Sequence, residues 1–153
     1  MRSERWTTVL LLVGPAALLM AALGFQYLGG LAPCEMCLWQ RWALLVALGL
    51  ALLGWATGHS RAVLRLAAIA VLAGAAIAAF HAGVEQHWWK GITECAAPPV
   101  SGTSAEILGQ ILAQPLVRCD AIPWSLWGIS MAGWNALVSG LIGGVALWRL
   151  RRA

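Results

Sequence analysis

Cys34-Glu35-Met36-Cys37 follows Pro33, and Arg41 comes four residues after the second cysteine. Two thiols separated by two residues can close a disulfide, and each tunes the other's thiolate, so the pair suits thiol-disulfide exchange. A static staple is the competing reading, but a bond closing so short a loop constrains little of the unfolded chain. Zinc needs four Cys or His ligands, typically as two short-spaced pairs. Cys34 and Cys37 form one such pair, whereas Cys95 and Cys119 stand 24 positions apart, and no metal site is expected.

Arg41 falls inside an apolar segment, where a cation is penalised by about 2.5 to 3.5 kcal/mol at a span's centre and less near its end. If a helix begins near Cys37, Arg41 lies one turn below it on the same face. Its charge and the helix N-terminus then both favour a Cys37 thiolate. An arginine snorkelling to the headgroups is the bland alternative. His81 and Glu85 are one turn apart at the end of another apolar segment. Such a histidine is more often a packed residue, yet at the depth of Arg41 it could donate to an oxygen of a bound apolar acceptor. His59 and His87 read as surface residues. Asn135, within a span, reads as an interhelical hydrogen-bonding residue.

The elements that must position these groups are apolar helices. Of 153 residues 61% are hydrophobic, against 10 Lys and Arg and 6 Asp and Glu, far below the charge of a soluble domain. Four stretches reach the roughly 20 residues needed to cross a bilayer: Thr7 to Leu28, Leu38 to Ala56, Leu66 to Val84 and Trp124 to Leu147. The first exceeds the length of a signal-peptide core and is expected to be retained. Most tryptophans fall near span ends, as amphipathic rings prefer, and Trp134 alone is expected well inside a span. Small residues at Ala73 to Ala76, and Gly140 with Gly144, are expected to let helices pack closely.

Arg2, Arg5, Arg61, Arg65, Arg149, Arg151 and Arg152 fall on one side; Lys90 and Arg118, with Arg41 if counted, fall on the other. Retention of Lys and Arg in the cytoplasm places both termini there. The net charge of +4 reflects this topology, and no basic stripe with interleaved aromatics suggests nucleic acid. All four cysteines then lie outside, in loops 29–37 and 85–123, in the bacterial periplasm if the membrane is the inner one. The second loop is too long to be a connector. Within it Thr103 and Glu106 have capping-box spacing, and the apolar period predicts an amphipathic helix from Ser104 to Ala113, lying on the outer leaflet or packed on the bundle.

Four spans, Pro33-Cys34-Glu35-Met36-Cys37 with Arg41, and a cysteine pair in the long loop together resemble the bacterial disulfide bond formation protein B (DsbB) family. Arg118-Cys119-Asp120, Trp124, Gly128-Ile129-Ser130-Met131 and Trp134-Asn135 resemble that family's entry into its last span. The likeness covers residues 1–153 as one domain. It implies an all-α membrane protein, a four-helix bundle of the inner membrane, that reoxidises a periplasmic DsbA-like thiol oxidase and passes the electrons to ubiquinone or menaquinone. It further implies that Cys95 accepts the partner's attack, that Cys119 passes electrons on by attacking Cys34, and that Cys37 faces the quinone beside Arg41. Resting-state pairing is left open by the sequence: Cys34 with Cys37 and Cys95 with Cys119 is the chosen arrangement, and a Cys34–Cys119 bond must form transiently on this path. His81 and Glu85 stand at the quinone edge, Glu85 where the family commonly has glutamine. A dedicated partner in place of a general DsbA, or a structural membrane protein with static external disulfides, are the alternatives.

Overall fold

The computed structural model describes residues 2–93, 102–113 and 117–152. Among the described residues five helices form in chain order: α1 (Arg2–Tyr27), α2 (Glu35–Ala56), α3 (Arg61–Glu85), α4 (Ser104–Ala113) and α5 (Met131–Arg152), with a hairpin of β1 (Ser125–Leu126) and β2 (Ile129–Ser130) before the last. All but α4 are long and apolar enough to cross a membrane. Leu45, Val46, Leu52, Leu66, Ile69, Leu137 and Leu141 face outward. A bundle whose outer surface is this apolar, with its backbone satisfied within helices, suits lipid rather than water.

α3 is the central helix and packs against both α2 and α5, while α1 closes the bundle against α2 and α5. The core joins Leu11, Ala47, Ala51, Leu64, Ala67, Ala68, Val71, Ile142, Ala146 and Leu150. At the arginine-rich end Arg61 grips Glu4 through Nη2 at 2.7 Å. There too Arg65 donates to the Leu150 carbonyl at 3.1 Å, satisfying a C-terminal group of α5. These contacts hold the N-terminus of α1, the α2–α3 turn and the C-terminus of α5 at one end, as an up-and-down chain requires.

Close approach in α5 occurs one register away from the expected glycines. A Cβ on Gly140 or Gly144 would meet nothing, whereas one on Gly143 would lie 2.6 Å from Leu72 Cγ and 3.1 Å from the Ala68 carbonyl oxygen. Gly143→Val is therefore expected to destabilise the α3–α5 contact by about 1–3 kcal/mol through overpacking, while Gly140→Val leaves it intact. Thermal unfolding of the two variants in detergent checks the contrast.

α4 spans the residues expected for the amphipathic helix. The Glu106 carboxylate accepts from both the amide and the hydroxyl of Thr103, each at 2.8 Å, and these bonds hold its pKa below the usual carboxylate range. The start of α5 differs from the expected span. Hydropathy predicts a helix from Trp124, but Trp127 and Gly128 both take positive φ, 53° and 78°, which is the geometry of a two-residue turn with φ > 0 at both central positions. Ser125 pairs with Ser130 and Leu126 with Ile129, so α5 begins at Met131. Trp134 accordingly stands in the first turn of α5, its indole donating to the Leu126 carbonyl at 3.2 Å, and not deep within a span.

Candidate active site

α2 begins immediately after Cys34, which serves as its N-cap. The Cys34 backbone is extended (φ −76°, ψ 173°), and its sulfur accepts from the Cys37 amide at 3.3 Å, filling the place that Ser, Thr, Asp or Asn usually takes. Both sulfurs therefore sit at the positive end of the helix dipole. Cys34, Cys37 and Cys119 are free thiols, and Cys34 Sγ donates to Cys37 Sγ at 3.0 Å. That donated hydrogen bond, reinforced by burial, pushes the Cys34 thiol well above its ordinary pKa.

The α2 face carrying Met36, Gln40, Leu44, Ala47, Ala51 and Gly54 is buried in the bundle. Its neighbouring face, with Cys37 and Arg41, borders a cavity of about 670 Å³ enclosed by α1, the start of α2, the end of α3 and the segment leading into α5. Leu18, Ala22, Phe25, Leu31, Leu44, Trp124, Trp134 and Val138 supply apolar wall. Phe25 and Trp124 lean on each other with ring centroids 4.9 Å apart, tying α1 to the approach to the hairpin. The polar groups on the wall are few: Cys34, Cys37, Gln40, Arg41, His81, Glu85, Arg118 and Asn135.

The Arg41 guanidinium reaches across to α1, where it donates to the Gln26 side chain and, at 3.2 Å, to the Ala22 carbonyl. The guanidinium is thereby anchored on α1 at the cavity wall. His81 Nε2 is 3.6 Å from Cys34 Sγ and 3.9 Å from Glu85 Oε1. His81 and Glu85 are each only 3% exposed, and Glu85 Oε2 has no hydrogen-bond partner among the described residues. A buried carboxyl oxygen without a donor is costly, and such sites concentrate where function requires them.

Cys119 packs against the small cluster of Cys34, Met36 and Val84, and the Thr93 hydroxyl donates to its sulfur at 3.3 Å. On either side of it Arg118 and Asp120 form a two-pronged ion pair, which pulls the Asp120 carboxyl down to about 2. Cys95 lies outside the described residues.

The family model for the disulfide bond formation protein DsbB matches residues 4–149. The chain belongs to the DsbB family. Among its relatives a disulfide bond formation protein B of Verminephrobacter eiseniae is 36% identical, over 99% of this chain and 88% of its own length. One from Azoarcus is 32% identical, over 88% of this chain and 85% of its own, and one from Stutzerimonas stutzeri is 30% identical, over 98% and 96%. No solved structure matches the chain.

Against the residues singled out from sequence, this DsbB-family chain gathers Cys34, Cys37, Arg41, His81 and Glu85 around one cavity and sets Cys119 behind Cys34. Cys34, Cys37 and His81 also place one potential metal-ligand atom each within 4.8 Å of one another; the tetrahedral sites of zinc require a fourth ligand or a bound water. His59 is not a bare surface residue, since its Nδ1 pairs with the Thr8 hydroxyl at 2.8 Å. Asn135 makes the interhelical bond expected of it, and its partner is Gln40, at 2.6 Å. Gln40 escaped the sequence reading. The available signal was a neutral amide one turn after Cys37 in an otherwise apolar helix, a position where a polar side chain must find a partner.

Proposed function

We propose that this protein is a membrane thiol:quinone oxidoreductase that reoxidises a DsbA-like dithiol oxidase and so sustains disulfide bond formation. In this reading residues 1–153 form one domain of a bacterial inner membrane, with both termini in the cytoplasm and loops 29–37 and 85–123 in the periplasm. The observation that carries it is the cavity itself: an apolar chamber whose wall holds the Cys37 sulfur and the Arg41 guanidinium, with the Cys119 sulfur packed behind Cys34.

A quinone ring needs apolar walls and donors for its oxygens. Arg41 supplies donors here, His81 stands on the same wall, and Glu85 offers a buried oxygen that has no partner among the described residues. When bound, ubiquinone or menaquinone accepts two electrons and two protons. The protein's own work is thiol exchange. A thiolate of the reduced partner attacks Cys95 of the Cys95/Cys119 disulfide, and the partner's second thiol resolves the mixed disulfide, leaving the partner oxidised. Cys119, released as a thiolate, attacks Cys34 of the Cys34/Cys37 disulfide, and Cys37 departs as a thiolate toward Arg41. Cys95 then displaces Cys34 from Cys119, restoring the outer disulfide and leaving the electron pair on the inner dithiol, ready for the acceptor. The helix N-terminus and Arg41 both stabilise negative charge on the departing sulfur.

The partner is identified by trapping. In Cys119→Ala the free Cys95 thiolate attacks the disulfide of the oxidised partner, releasing one partner thiol, and no internal thiol displaces the partner again, so a mixed disulfide through Cys95 is expected to be captured when acid quenching and alkylation block the released thiol. Non-reducing electrophoresis and mass spectrometry read it out. A DsbA-like protein in the adduct supports the reading; a different thiol protein points to a dedicated partner, and no adduct at Cys95 contradicts the exchange path.

A further inference from the structure

A run of hydrogen bonds leads from the middle of α5 to the reactive sulfurs. Ser139 Oγ donates to Asn135 Oδ1 at 2.9 Å, and Asn135 Nδ2 donates to Gln40 Oε1 at 2.6 Å. Gln40 Nε2 stands 3.0 Å from His81 Nδ1, His81 Nε2 stands 3.6 Å from Cys34 Sγ, and Cys34 Sγ donates to Cys37 Sγ.

Its direction is set by a group that has no hydrogen to give. The Met36 carbonyl oxygen lies 3.1 Å from the same Gln40 nitrogen, and a carbonyl can only accept, so that end of the amide must be the nitrogen. The other end is then oxygen and accepts from Asn135. With one hydrogen on Met36, the amide nitrogen has its second for His81 Nδ1, which must present a lone pair. The ring hydrogen consequently sits on Nε2, facing Cys34 Sγ, with Glu85 Oε1 3.9 Å away and the Cys119 backbone also hydrogen-bonded to the ring. Gln40 and His81 are 6% and 3% exposed and Ser139 is fully buried; water does not readily compete for these bonds, and aligned bonds in such surroundings polarise one another.

We propose that Gln40, held by Asn135, is a positioning residue that locks His81 in its Nε2–H tautomer, and that this tautomer selects Cys37 over Cys34 as the nucleophilic sulfur. The opposite tautomer would present a lone pair to Cys34. Imidazole nitrogen is a better acceptor than sulfur, so the Cys34 hydrogen would turn from Cys37 to His81, and Cys37 would lose its donor. One amide on α2 thus decides which sulfur faces the acceptor charged. The tautomer does not depend on the proposed electron path, although its consequence for the nucleophile rests on that path's reading of the two cysteines as a redox pair.

The test uses the full chain in detergent micelles, reduced with dithiothreitol and freed of quinone. Histidine-selective isotope labelling gives the imidazole nitrogen shifts by NMR, with His81→Gln identifying the His81 signals, and iodoacetamide labelling followed by peptide mapping gives the relative rates of Cys37 and Cys34. The native protein is expected to show the Nε2–H tautomer and faster labelling at Cys37. Gln40→Glu, which offers His81 an acceptor, is expected to move the ring hydrogen to Nδ1 and lower the Cys37-to-Cys34 ratio about tenfold, the scale of one lost hydrogen bond. A native Nδ1–H tautomer overturns the proposal, and so does a ratio that stays unchanged when the tautomer has moved. If the variant does not fold, the native spectrum and ratio decide. Neither readout uses quinone or partner, so a failure here is distinct from a failure of the electron path.

Discussion

Cys37→Ser is expected to abolish quinone reduction while leaving the bundle folded. The substitution changes one atom on the cavity wall, but a serine hydroxyl neither forms a disulfide with Cys34 nor ionises as a thiolate, and loss of an essential nucleophile commonly costs at least about 10³-fold. A second signature separates this from general damage. Cys34 loses its neighbour as a disulfide partner, and Cys119, packed against the same cluster, becomes the sulfur within its reach. Attack of the Cys34 thiolate on Cys119 of the proposed Cys95/Cys119 disulfide, with Cys95 leaving as a thiol, is therefore expected to leave a Cys34–Cys119 disulfide in the variant, visible in a non-reducing peptide map. Anaerobic quinone reduction by a dithiol substrate, followed by ultraviolet absorbance, gives the activity; retained turnover would remove Cys37 from the role assigned to it.

Arg41→Met is expected to lower turnover at limiting quinone by about tenfold to a hundredfold, the range for losing a charge-assisted hydrogen bond in a protected site. The guanidinium is anchored on α1 through Gln26 and the Ala22 carbonyl, so it is already in place on the cavity wall for the proposed release of Cys37. A lysine cannot reproduce that forked grip, and Arg41→Lys is expected to recover only part of the loss. Measurement of kcat and KM for quinone reduction distinguishes the two contributions: weakened binding raises KM, and weakened support for the Cys37 charge lowers kcat. Equal kinetics in native and Arg41→Met protein would leave Arg41 as a structural strut.

Much of this architecture is legible in the sequence because lipid imposes a simple requirement. About 20 apolar residues in a row must be helical, and the arginines at the ends of those runs report which ends lie together. The placing of the cysteine pair at a helix start is legible for a similar reason, since Pro33-Cys34 ends the loop and the apolar run of α2 follows at once. Other features depend on facts that hydropathy does not encode. Ser125 to Ser130 is apolar enough to read as a span, and Trp127-Gly128 lacks the Asn-Gly or Asp-Gly signature that would mark a hairpin. Gly140, Gly143 and Gly144 are equally small, and only the rotation of α5 against α3 makes Gly143 the one that meets Leu72. Gln40 and Asn135 are 95 positions apart, and their bond exists because the fold brings α2 and α5 to the same depth.

The most direct measurement of the electron path is the redox state of its cysteines in cells that cannot make quinone. After acid trapping and alkylation, Cys34 and Cys37 are expected to be found as thiols, with the partner reduced, and added quinone is expected to return both to disulfides. Persistence of all the disulfides without quinone would contradict the path and leave the cysteines as static staples of the outer loops.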